Sequence, residues 1–317
     1  MVTPWFPFPR SHWSGHSTKL AVLIVTFFAA VLLPASGLLA QQPVILLVPV
    51  SAQQTDSAAL VLTGIAHAAI RVSDLAKSRE FYEKLGFEEA FAMDKGGMPT
   101  EAFLKINDRQ FLELYPQRDP SQTIGFMHVC FESADLEKLN RDYVARGLTP
   151  TPVRKAGAGN LLFTMQGPER QNIEYTQYLP GSKHTKDIGM HLGADRISTE
   201  IAGLGIEMQD PAVATTFYEQ KLGFEPARHA MEPGFTALEL PGQSGSARIG
   251  GTQTGSAQIE FVPPASGSAF RLLFSVPDLG RIASQLERLH LSFVKHRSFV
   301  SIHDPDGNYI VLVKTKR

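Results

Sequence analysis

From about residue 60 onward, apolar and polar positions alternate in a recurring order. Residues 64–75 read GIAHAAIRVSDL, which places Ala68, Ile70 and Val72 on one face of a strand and His67, Ala69 and Arg71 on the other. The next stretch, AKSREFYEKLGF, changes to a helical period and stops at glycine. Three short strand-like runs follow, EEAFAM, TEAFLKI and RQFLELY, so the unit predicted is β-α-β-β-β.

The unit recurs. His67–Gly86 aligns without a gap on His128–Gly147, pairing Asp74 with Asp135 and Tyr82 with Tyr143, and the same offset of 61 carries Glu113 onto Glu174. After a polar, glycine-containing linker at 181–198 the unit appears twice more. GLGIEMQDPAVATTFYEQKLGF matches the opening stretch with one residue inserted in the helix, and RLLFSVPDLGRIASQLERLHL matches the stretch that starts at His128. Four units imply two paired domains, at 59–180 and 199–317.

These residues carry a family resemblance. The β-α-β-β-β repeat, the His-x-x-x-Arg-Val-x-Asp-Leu opening, the Phe-Tyr-x-x-x-Leu-Gly-Phe helix end and a closing strand of the Asn-x-Ile-Glu type, here Asn172-Ile173-Glu174, resemble the vicinal oxygen chelate superfamily over residues 60–317. That superfamily includes glyoxalases, bleomycin- and fosfomycin-resistance proteins and extradiol dioxygenases. The resemblance implies an α+β fold in which four βαβββ modules pair into two domains with cup-shaped mixed sheets.

Strand alternation turns His67, His128, Glu113 and Glu174 away from the helix side, into the concavity of the sheet. The separations 113 − 67 and 174 − 128 are both 46, with the same residue types at both ends. Two imidazoles and two carboxylates form a mixed N/O set suited to one Ni, Zn, Co, Mn or Fe(II) ion. The resemblance points to the same four residues as metal ligands. It also implies Glu174, with Glu113, as the catalytic base and Arg71 as a binder of a substrate carboxylate. Phe111 and Tyr115 face the same cavity and could stack on a planar substrate. One departure from the family pattern is the turn GPERQN (167–172), where members often have Asp-Pro-Asp-Gly-Asn.

The second half keeps the scaffold and loses the donors. Gly203, Arg271 and Val311 replace His67, His128 and Glu174, leaving Glu260 in the place of Glu113. One metal per chain is expected, with Arg271 paired to Glu260. A full donor set also requires modules one and two to meet, which favours sequential domains; a homodimer exchanging modules stays open. His184 and His191 fall in the linker, where spacing assigns them no role.

Composition narrows the function further. Thirty basic and thirty-one acidic residues give a net charge of −1 with no long run of one sign, so no nucleic-acid footprint is present. The single cysteine, Cys130, excludes a disulfide framework and a Cys-x-x-Cys site. Residues 1–52 read as a secretory signal and leader: Arg10 and Lys19 precede the apolar run LAVLIVTFFAAVLL. Export to the periplasm or medium is expected, or anchoring in the membrane by residues 20–40 if the segment is not cleaved.

The functional expectation is a metal-dependent lyase or isomerase of glyoxalase type, acting on a small substrate with vicinal oxygens. Export argues against glutathione-dependent chemistry. An extradiol dioxygenase, which needs two His and one Glu around Fe(II), is the alternative, with Glu113 crowding the open positions as a fourth ligand. A third reading, from a different class, is sequestration of a small compound, as in bleomycin-resistance proteins.

Overall fold

The structure, a computed structural model, describes residues 62–242, 257–264 and 270–314, all within one compact unit, Gln54–Arg317. The signal and leader predicted at 1–52 lie outside the described residues. The repeated aspartates explain where the helices begin. Asp74 accepts from the backbone N–H groups of Ala76 and Lys77 to open α1 (Leu75–Lys84), and Asp135 accepts from Lys138 to open α2 (Leu136–Ala145). Beyond the short linker helix α3 (Lys183–Lys186), Asp210 and Asp278 open α4 (Pro211–Phe217) and α5 (Leu279–Arg288) in the same way. Each cap satisfies N–H groups that a helix start leaves unpaired, worth about 1 kcal/mol.

The helix ends follow the repeat as well. Gly86, Gly147 and Gly223 leave their helices at φ +86°, +78° and +79°, and His290 takes the same left-handed turn at +54° in the fourth module. The residue inserted in the third module is absorbed by a π-helical turn, Tyr218–Leu222. Tyr218 therefore keeps the buried place that Tyr82 has in the first module.

Among the described residues sixteen strands form two eight-stranded mixed sheets. The first comprises β1 (Gly64–Val72), β2 (Glu89–Lys95), β3 (Met98–Lys105), β4 (Phe111–Pro116), β5 (Gly125–Glu132), β6 (Arg154–Lys155), β7 (Leu161–Gln166) and β8 (Asn172–Gln177). Their order is β2-β3-β4-β1-β5-β8-β7-β6. The second comprises β9 (Ile201–Glu207), β10 (Glu225–Pro226), β11 (Thr236–Glu239), β12 (Gln258–Val262), β13 (Phe270–Val276), β14 (Val294–Lys295), β15 (Phe299–His303) and β16 (Tyr309–Lys314), in the same pattern. Modules one and two join through the antiparallel pair β1–β5, and modules three and four through β9–β13. Sequential pairing is thus observed, and with it the α+β fold of two cup-shaped sheets.

The apolar faces and helices of both sheets share one core. Phe87 packs on Phe274 and Phe131 on Phe224, at ring-centroid separations of 5.1 and 5.4 Å. Two equivalent clasps cross between the sheets. Asp306 accepts from Ser73 while Asp304 accepts from the Tyr82 hydroxyl; Glu169 accepts from the N–H groups of Gln209 and Asp210 while Gln171 accepts from Tyr218. The unusual turn GPERQN therefore performs the same task as the turn HDPDGN at 303–308 in the fourth module, with Arg170 at φ +63° where Gly307 has +82°. No described helix is long and apolar enough to cross a membrane.

The linker is not a passive spacer. Ser182, His184 and Asp187 are buried, and the fully buried Lys105 ammonium meets the Asp187 carboxylate at 2.8 Å, holding the segment against the first sheet.

Candidate metal centre

Strand register decides which side chains share the first cup. One row across the sheet runs Lys105, Phe111, His67, Cys130 and Glu174; the next runs Phe103, Glu113, Ala69 and His128. These two rows lie two residues apart along each strand and therefore project from the same face, so all four predicted ligands point into one concavity. His67, Glu113 and His128 are nearly fully buried.

The donors are not equivalent. His67 Nε2 lies 3.1 Å from His128 Nε2 and 3.4 Å from Glu174 Oε1. Among the described residues these three form the group of His, Cys, Asp and Glu that could hold a metal, with donor atoms all within 4.8 Å of one another. Donors bonded to one cation at about 2.1 Å stand about 3.0 Å apart at right angles and about 3.4 Å apart at the tetrahedral angle. The triad fits a small divalent ion.

Glu113 stands behind the triad. Its Oε1 is 3.3 Å from His67 Nδ1, on the far side of the ring, and its Oε2 is 3.8 Å from His128 Nε2 and 3.0 Å from the Tyr115 hydroxyl. Of the four residues read from spacing, His67, His128 and Glu174 bring donor atoms together, while Glu113 lies at ion-pair distance behind His67, on the side where outer carboxylates stand in metal sites. Tyr115 also meets Glu101 at 2.6 Å. The position in β8 that matches Tyr115 is Thr176, whose hydroxyl donates to Leu161 O instead, so nothing equivalent draws Glu174 out of the centre.

The protonation pattern follows this division. Burial, reinforced by the Glu174 and Glu101 charges, pushes Glu113 up to about 8. A phenol has one proton to give, so Tyr115 can donate to Glu101 while a protonated Glu113 donates to Tyr115. Burial would also raise Glu174, but the His67 hydrogen bond and the two imidazoles hold it below the ordinary value. Burial brings His128 down to about 4, leaving it neutral as a ligand must be. His67 is raised despite burial, because Glu113 and Glu174 favour positive charge there. A buried cluster that attracts a proton between two carboxylates suits a cation.

The remaining predicted residues occupy different stations. Arg71 reaches the rim, where it donates to Thr123 O at 3.0 Å. Phe111 is fully buried and meets the His184 ring in a T-shaped contact, with centroids 4.9 Å apart. Sequence reasoning missed Glu101, which the alternation of TEAFLKI places two residues before Phe103 on the cup face. It also missed His184, for which no local signal existed. Burial drives His184 down to about 3 and keeps it neutral.

The second cup confirms the register of the repeat. Its rows read Gln258, Gly203, Leu273, Val311 and Glu260, Gly205, Arg271, Tyr309. The expected partner of Arg271 needs correction. Its Nε lies 3.1 Å from Glu232 Oε2, on the β10–β11 loop, while Glu260 accepts from the N–H groups of Met231 and Glu232 at 2.5 and 3.0 Å. The loop folds into the cup and brings a closer carboxylate than the strand does.

Residues 64–175 match the family model Glyoxalase/Bleomycin resistance protein/Dioxygenase superfamily. No curated protein matches by sequence. Among solved structures, the 2,3-dioxygenase LapB from Pseudomonas sp. KL28 is similar with a TM-score of 0.59 and 17% identity, over 81% of this chain and 93% of that one. Homoprotocatechuate 2,3-dioxygenase from Brevibacterium fuscum, in complex with 3,4-dihydroxyphenylacetate, gives 0.58 and 17% over 82% of each chain. The Arthrobacter globiformis homoprotocatechuate 2,3-dioxygenase gives 0.56 and 17% over 81% of each. Similarity at this level of identity speaks for the fold.

Proposed function

We propose that this chain, whose residues 64–175 match the glyoxalase/bleomycin resistance protein/dioxygenase family model, belongs to that superfamily and is a metal-dependent enzyme for substrates with two vicinal oxygens, of the extradiol dioxygenase type. The observation that carries this reading is the convergence of His67, His128 and Glu174 with Glu113 turned aside. Two imidazoles and one carboxylate that leave other positions open form the set associated with non-haem Fe(II) oxygenases. The objection that Glu113 would crowd the site loses its force.

The ion held there would supply Lewis acidity toward both substrate oxygens and electron exchange with dioxygen. The chain's own groups do the rest. Glu113 orients His67 through Nδ1, and the Glu113–Tyr115–Glu101 chain holds a proton beside the centre. Arg71 at the rim is placed for an anionic substituent. We include export, directed by residues 1–52, in the same proposal.

The test is to load the purified full chain with Fe(II) and follow dioxygen uptake with a catechol. Uptake equimolar with catechol, lost on chelation, is the expected result. A glyoxalase-like isomerase is the second reading, favoured by the approach of Glu113 Oε2 to 3.8 Å from His128 Nε2 and by the raised proton affinity of Glu113. Turnover of a 2-oxoaldehyde under nitrogen, without catechol cleavage, would select it. Tight catechol binding without turnover would select sequestration.

A further inference from the structure

We propose that His184, supplied by the linker, is a substrate-binding residue of the first cup, whose ring hydrogen-bonds an oxygen of the substrate bound at the His67–His128–Glu174 triad. The inference rests on the functional reading above, since it requires an oxygen-bearing substrate at that centre.

The location comes from packing. The His184 ring stacks on Tyr178 at 4.6 Å and meets Phe91, Phe103 and Phe111 edge-on at 5.0, 5.4 and 4.9 Å. Phe103 and Phe111 belong to the rows that carry Glu113 and His67, so the ring lies on the cup face beside the centre. Its place is held independently of the ring. Ser182 caps the short helix, Lys183 N–H donates to Ala158 O, and Lys105 binds Asp187.

The chemical signal is what the ring lacks. His184 is 3% exposed, yet among the described residues neither ring nitrogen has a hydrogen-bond partner. A neutral imidazole carries one donor and one acceptor, and burying both unsatisfied opposes folding. The four neighbouring rings would accept phenylalanine without that cost. A polar ring kept in an aromatic box next to a cluster of metal-type donors is the arrangement of a group whose partner arrives with the ligand, at the expense of stability.

The test compares the full chain with His184→Phe and His184→Gln, each loaded with Co(II) under nitrogen and titrated with 4-nitrocatechol by visible absorbance. His184→Phe should retain one metal per chain, unfold at a higher temperature and bind the probe at least tenfold more weakly, with His184→Gln recovering part of the loss. Binding within twofold of wild type in His184→Phe would overturn the role. So would a lower unfolding temperature or loss of metal, which would make the nitrogens structural. Failure of the wild-type chain itself to bind the probe would overturn the functional reading, and this inference with it.

Discussion

The two cups have the same strand order and the same register, and they differ in what occupies the floor. In the first, a two-glycine turn, Gly96-Gly97 at φ +65° and +79°, closes β2 onto β3 tightly, and the linker's His184 enters beside the side chains of the sheet. In the second, residues 227–235 form a longer loop that folds inward. Its Glu232 meets Arg271, and Phe235 covers the guanidinium at 4.8 Å. Leu273 and Val311, in the rows where the first cup has Cys130 and Glu174, join a small apolar cluster with Phe299. A Cβ on Gly203 would come within 2.6 Å of Gln258 O, so the donor has gone together with the room for it. The comparison teaches that a duplicated site cannot simply be emptied. Glu260 kept its carboxylate, and the loop supplies the N–H groups that a buried carboxylate needs.

The sharpest way to break the comparison is to remove a donor from the first cup. His128→Ala should abolish stoichiometric metal binding, one ion per chain by elemental analysis, with an unchanged circular dichroism spectrum because Val129 and Phe131 still fill the core. Retained metal, or two ions in the wild-type chain, would erase the contrast between the cups.

In the second cup the corresponding change should harm stability and spare metal. Arg271→Met leaves Glu232 without its cation, and breaking a buried pair in this way costs about 3–5 kcal/mol. Urea unfolding at pH 8 measures it; a loss below 1 kcal/mol would show that the loop, and not the charge, fills the cup.

Glu260 also predicts a pH dependence. Burial raises it to about 7 from an ordinary 4.5, so the folded chain holds that proton more tightly than the unfolded chain. The contribution is complete below about pH 4.5, declines as pH rises and is gone above about pH 7, worth up to about 3.5 kcal/mol at roughly 1.4 kcal/mol per unit. Glu260→Gln should flatten unfolding free energy between pH 5 and 8.

Glu113→Gln tests the division within the first cup. An orienting carboxylate lost from behind a ligand lowers metal affinity about 10–100-fold. Complete loss, as in His128→Ala, would restore Glu113 to the donor set. The smallest effect is expected between the cups, at the clasp: Arg170→Gly relieves a left-handed non-glycine residue and should stabilise by about 0.5–1 kcal/mol. A destabilised variant would mean that the Arg170 side chain, and not its backbone, holds the turn.

Much of this was legible in the sequence because it depends on backbone position alone. Aspartates at a fixed offset cap helices, glycines at a fixed offset end them, and alternation decides which strand residues face the cup. The four modules, their pairing, the candidates His67, His128, Glu113 and Glu174, and the loss of donors at Gly203, Arg271 and Val311 all follow from that. The tertiary structure decided what the repeat leaves symmetric. Glu113 and Glu174 are equivalent by spacing, but only Glu113 has a tyrosine two residues on and Glu101 across the sheet to draw its proton away from the centre. Arg271 found Glu232 rather than Glu260, and His184 reached the first cup, because a loop and a linker folded over the strands. Spacing constrains where a Cβ points; the neighbours brought by other segments decide where the charged or polar end of the side chain comes to rest.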